Sequence, residues 1–206
     1  MSDDAKSAGR LAWIGRINWW LVLVPPVVLV ALAAVGNLRY NDRVQVYLEL
    51  AAPYLVGLAT AIYAVRTLAT RNPWHLILTA LCVTLLCREL RESAAFSWTT
   101  KGVFVMLGAI AAWSALWRKR LAALPVDWRH TSWLIAAFWC YVLSQIVAKR
   151  VFSARHLGIV PNEDLIHSFL EEGLETTAHL LLILTAFVGT WRHAGCQCSG
   201  REQGPQ

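Results

Sequence analysis

His167, Glu171, Glu172, Glu175 and His179 share one stretch of chain that runs directly into the apolar segment from Leu180 to Trp191. A carboxylate close to hydrocarbon costs a few kcal/mol or more. Such groups therefore turn toward the protein interior or a watery cavity, where they mark ion, proton or substrate sites. On a helix advancing about 100° per residue, His167, Glu171, Glu175 and His179 fall near 0°, 40°, 80° and 120°, with Glu172 near 140°. One face carries all five.

Three kinds of chemistry suit that face. Glu175, as general base or proton acceptor, and His179 can handle protons, since chains of Glu and His inside a bundle form relays. Alternatively His167, Glu171, Glu172, Glu175 and His179 are ligands for a divalent metal, the one cofactor these residues suggest, because Glu and His at i, i+4 can point at one ion while another helix completes the shell. That signal is weak, for neither His-Glu-x-x-His nor Glu-x-x-His occurs. The third option is structural, with Arg88 and Arg91 pairing to the carboxylates and fixing geometry without chemistry.

Further polar groups join the candidate site as ligands or ion-pair partners: Arg88, Glu89, Arg91 and Glu92, then Glu49, then Tyr141 and Gln145 with Ser144 between them. Pro53 lacks the N–H that would bond the Glu49 carbonyl, which leaves that oxygen to a ligand or water. Nucleophilic catalysis finds little support. Ser168 neighbours His167 but is not in the i, i+4 relation that brings side chains together, and no G-x-S-x-G elbow, phosphate loop or dinucleotide fingerprint is present. His75 and His130 read as interfacial residues at the opposite end.

Positioning such groups takes a membrane bundle. The chain is 57% hydrophobic and only 16% charged, with a mean hydropathy of +0.46, whereas about a quarter of a soluble domain is charged. Segments of about 20 apolar residues can span a bilayer, and six are expected: Ile17 to Val35, Val44 to Val65, Trp74 to Ser93, Gly102 to Trp117, Thr131 to Ala148 and Asp164 to Trp191. Trp19, Trp20, Trp74, Trp98, Trp117, Trp133 and Trp191 sit near span ends, as interfacial anchors do. The expected fold is an all-α polytopic membrane helical bundle, one domain over 1–195 with a disordered cytoplasmic tail over 196–206.

The first span resembles a signal peptide in its basic start, but its long apolar run and central Pro25-Pro26 favour an uncleaved anchor. Arg118-Lys119-Arg120 beside the fourth span points to an N-in, C-in topology. No internal repeat suggests an inverted-repeat transporter. The net charge of +6 lies mostly between spans and sets topology, so no nucleic-acid partner is expected. Five cysteines form no disulfide framework; Cys82, Cys87 and Cys140 read as small core residues, and Cys196 and Cys198 as part of a solvated tail.

With that topology the carboxylates gather at the outer ends of the second, third and sixth spans, while the inner halves are almost purely Leu, Val, Ala and Ile. The expectation is a multi-pass protein of the inner (plasma) membrane. An outward-facing Glu/His/Arg site between the third and sixth spans would bind a cation, a proton or a small polar ligand, for transport or sensing. Two alternatives are a membrane-embedded metal-dependent hydrolase acting on a lipid or lipid-linked substrate, and a structural or assembly subunit with a protein partner. Whether the chain is an enzyme stays open at this level.

Overall fold

The computed structural model describes residues 18–39, 42–92, 99–122, 124, 127–152, 157, 158 and 163–188. They form seven helices and no strand: α1 (Trp19–Arg39), α2 (Asp42–Thr70), α3 (Pro73–Glu92), α4 (Thr99–Leu116), α5 (Arg118–Ala122), α6 (Trp128–Ala148) and α7 (Glu163–Val188). Six of them overlap the six apolar segments, of which Ile17, Ser93 and residues 189–191 lie outside the described residues, as does the tail over 196–206, and α5 is the short basic extension after α4. Trp19–Leu38, Arg43–Thr70, Pro73–Leu90 and Trp128–Ala148 are long and apolar enough to cross a membrane, and α4 adds a shorter apolar stretch, Val105–Leu116. These lengths and compositions are those of a multi-pass membrane protein. In α7 the apolar run is interrupted by Glu171, Glu172 and Glu175.

The chain divides into two units, Met1–Ala52 with Asp127–Val188, and Pro53–Val126 with Gly189–Gln206. In the first, α1 and α6 begin at the same end, where the Asn18 backbone N–H donates to Ser132 Oγ at 3.1 Å. Helix α7 runs antiparallel to both. Leu143 and Val147 of α6 pack with Ile166, Phe169, Leu170 and Leu174 of α7, and Val28, Leu29, Leu32 and Ala33 of α1 close over them. Apolar burial gives little drive between helices in lipid, so small residues that admit close packing take its place. Gly173 is such a residue: a Cβ there would lie 2.7 Å from Leu32 Cδ1. Gly36 of α1 receives Ile166 and Phe169 in the same manner, with Ile166 Cδ1 3.1 Å from where a Cβ would stand.

Leu170 and Gly173, placed by angle on the face opposite the ionisable ladder, are thus buried against α1 and α6. Leu180, Leu184 and Phe187 remain exposed.

In the second unit the latter part of α2 and α3 form a hairpin. Arg71, with φ of 51°, ends α2 in the left-handed conformation common after a helix C-terminus. The Asn72 side chain then accepts from Trp74 N at 2.9 Å and caps α3. Thr67 and Thr79 hydroxyls meet at 2.9 Å, and Thr70 Oγ1 lies 2.6 Å from His75 Nδ1. This end is more polar than its sequence suggests. Helix α2 continues past Val65 to Thr70, which carries Arg66 inside the packed region at 1% exposure. His75 and His130, at the starts of α3 and α6, are buried. Cys82 and Cys140 are buried as expected, whereas Cys87 is exposed because it falls on the outer face of α3.

Candidate functional site

Helix α6 starts at Asp127, whose carboxylate accepts from Arg129 N and His130 N. That cap satisfies two of the N–H groups every helix leaves open at its start. From there Tyr141, Ser144 and Gln145 follow at i, i+3 and i+4, one stripe of the helix. The antiparallel α7 presents Glu175 and His179 in the same seam.

Glu175 is 2% exposed. Its Oε1 accepts from Ser144 Oγ and from Gln145 Nε2, each at 3.1 Å. Ser144 is itself buried, and its oxygen also lies 2.9 Å from the Tyr141 carbonyl. A hydroxyl has one proton and two lone pairs. With Glu175 ionised, Ser144 donates to the carboxylate. With Glu175 protonated, Ser144 can accept from the carboxyl and turn its own proton to the Tyr141 carbonyl. Gln145 donates in both cases. The heavy-atom arrangement therefore serves both charge states of Glu175.

His179, one turn along α7, is fully buried. Its ring stands 5.5 Å from the Tyr141 ring at an interplanar angle of 61°. Beyond it toward the Asn18 end the seam is lined by Cys140, Ala137 and Ala136 of α6 and by Leu182 and Ala186 of α7, all buried. Toward the other end it becomes polar. Glu171 and Glu172 are half-buried and Gln145 is exposed. At the mouth the His167 ring nitrogen Nε2 lies 3.3 Å from Arg150 Nη2 and 3.2 Å from Ser168 Oγ. The Ser168 contact corrects the expectation from i, i+4 geometry: the two neighbouring side chains meet here. An Arg N–H only donates, so beside Arg150 the Nε2 atom is the acceptor and the proton of a neutral ring sits on Nδ1.

The structure thus brings together Glu175, His179, Tyr141 and Gln145 from the expected set and adds Ser144, which shares their stripe. Arg150 joins His167. Glu49 does not join: it is exposed on α2 and accepts from Gln45 Nε2 one turn back at 2.9 Å. Arg88 is half-buried and Glu89 buried on α3, in the second unit. The side chains of Arg91 and Glu92 lie outside the described residues. Among the described residues no group of three His, Cys, Asp or Glu side chains is arranged to hold a metal ion. His167, Glu171, Glu175 and His179 climb α7 turn by turn, and that separation along the axis keeps a third donor from converging with any two.

No family model matches the chain, and neither a curated protein nor a solved structure matches it.

Proposed function

We propose that this multi-pass membrane protein takes up and releases a proton at Glu175, and that the change between charged and neutral carboxyl alters how α6 packs on α7. The observation that carries this reading is a carboxyl group 2% exposed whose donors include a serine hydroxyl and a glutamine amide, two partners compatible with either protonation state. A buried ionised carboxylate is held at a cost of several kcal/mol unless well partnered, so a proton arriving there changes the energetics of the seam directly. The polar steps through His167, Glu171 and Gln145 open at one end, and next beyond His179 come Ala137, Leu182 and Ala186, with Thr185, His130 and Ser132 buried farther on. One-sided exchange, the behaviour of a proton-responsive switch, fits this better than a path through the membrane. Infrared spectra of the protein in lipid, compared with Glu175→Gln, test whether that carboxyl titrates.

Six crossings with both termini inside belong to the same proposal, and parity supports them. Helices α1 and α6 run parallel, so the chain between them crosses an odd number of times. If α2 and α3 each cross, α4 supplies the third crossing. Its 18 residues extend about 27 Å at 1.5 Å per residue, close to the roughly 30 Å hydrocarbon thickness. Arg118, Lys119 and Arg120, all exposed, then mark the inner side. In a background with native cysteines replaced, Pro161→Cys is expected to react with an impermeant thiol reagent in intact spheroplasts and Leu124→Cys to stay protected. The reverse pattern would place the mouth of the seam at the cytoplasm.

A further inference from the structure

At the end of the first unit where α1 and α6 begin and α7 finishes, Asn18, Leu21, Arg129, Ser132, Trp133 and Val188 line a cavity of about 230 Å³. Its two sides differ in kind. Arg129, exposed at the start of α6, supplies a guanidinium, with Asn18 and the Ser132 hydroxyl beside it. Leu21, the Trp133 indole and Val188 supply apolar wall. Trp133 stands one helical turn after Arg129, so the two reach the same side of α6 at successive depths. Since the apolar span of α6 begins at Trp128, that depth is where headgroups give way to acyl chains. The Asp127 carboxylate is the negative group of this helix start, and it is engaged by the backbone N–H groups of Arg129 and His130.

We infer that this cavity binds the headgroup of an anionic phospholipid. Arg129 makes paired N–H bonds to the phosphate, the geometry in which guanidinium surpasses ammonium, while Leu21, Trp133 and Val188 follow the glycerol and the first acyl carbons. The apolar half of the wall selects a lipid over free phosphate, and the guanidinium selects an anionic lipid over a zwitterionic one. The other basic cluster, Arg118 to Arg120, is exposed like Arg129, but its Arg120 is already engaged, stacked over the Trp117 ring at 4.7 Å.

Native mass spectrometry of the full chain, released from detergent micelles holding equal phosphatidylglycerol and phosphatidylcholine, tests the assignment. One phosphatidylglycerol is expected to be retained in preference. Arg129→Gln should lower its retention about tenfold, the loss expected for one charge-assisted paired contact. Arg129→Lys should fall between, and the triple change Arg118→Gln, Lys119→Gln, Arg120→Gln should leave retention unchanged. Equal retention by Arg129→Gln, equal retention of the two lipids, loss confined to the triple variant, or displacement by inorganic phosphate alone would each overturn the lipid site.

Discussion

Glu175→Gln is expected to fold and insert like the wild type and to lose all pH response of the α6–α7 seam. Glutamine keeps the shape of the side chain, its carbonyl still accepts from Ser144 and Gln145, and it carries no titrating proton. It imitates the neutral carboxyl, so the variant should rest permanently in the state the wild type reaches in acid. Spin labels at Lys149→Cys and Leu165→Cys, both exposed positions at the polar end of the seam, report the α6–α7 separation. The wild type is expected to change its distance distribution between alkaline and acid conditions, while Glu175→Gln gives the acid distribution throughout. Other groups that titrate or carry charge near this end are Glu163, Asp164, His167, Glu171, Glu172 and His179 on α7, with Lys149 and Arg150 on α6. If Glu175→Gln shifted with pH as the wild type does, the response would belong to one of them.

The second large effect is steric. Gly173→Leu should sharply lower the yield of folded protein, because even a Cβ would lie 2.7 Å from Leu32 Cδ1 and 3.4 Å from Leu32 Cγ. A forced misfit in a packed region costs about 1 to 3 kcal/mol, and more where the backbone must part. Gly173→Ala should do less harm, since a single methyl meets the far end of a leucine that can change rotamer. Combining Gly173→Leu with Leu32→Ala should recover much of the yield, as removing the facing side chain vacates the volume the new one needs. Retention of a detergent-solubilised monomer peak on size exclusion measures this. A normal yield for the single variant, or no recovery in the pair, would show that α1 and α7 do not approach at Gly173.

The helical class was legible in sequence because hydropathy over about 20 residues is a direct record of membrane depth. Each of the six expected segments is helical over its described residues, and Pro25-Pro26 and Pro53 interrupt neither α1 nor α2. Glu175 and His179 were legible for a related reason: an ionisable residue inside an apolar run is expensive wherever it sits. Their partners were harder to find. Ser144 resembles any helical serine until α7 supplies an acceptor, and nothing in one sequence says that Ser144 and Glu175 share a level. Glu49 misled because charge in an apolar segment says nothing about facing, and its helix turns it outward. Arg66 was missed for a boundary reason, since reading α2 as ending near Val65 made the arginine a topology flank rather than a buried group.

The most direct measurement of the central claim is an infrared pH titration of the protein in lipid, with the spectrum of Glu175→Gln subtracted. A protonated carboxyl absorbs apart from the amide bands. The subtraction removes every carboxyl the two proteins share, Glu171 and Glu172 included. The account predicts one carboxylic acid band that grows on acidification, is lost on return to alkaline conditions, and moves in Ser144→Ala because the serine hydrogen bond to Glu175 is gone. A difference spectrum that stays flat from alkaline to acid conditions would mean that Glu175 keeps one protonation state throughout, and would contradict the claim that this residue is where the proton binds.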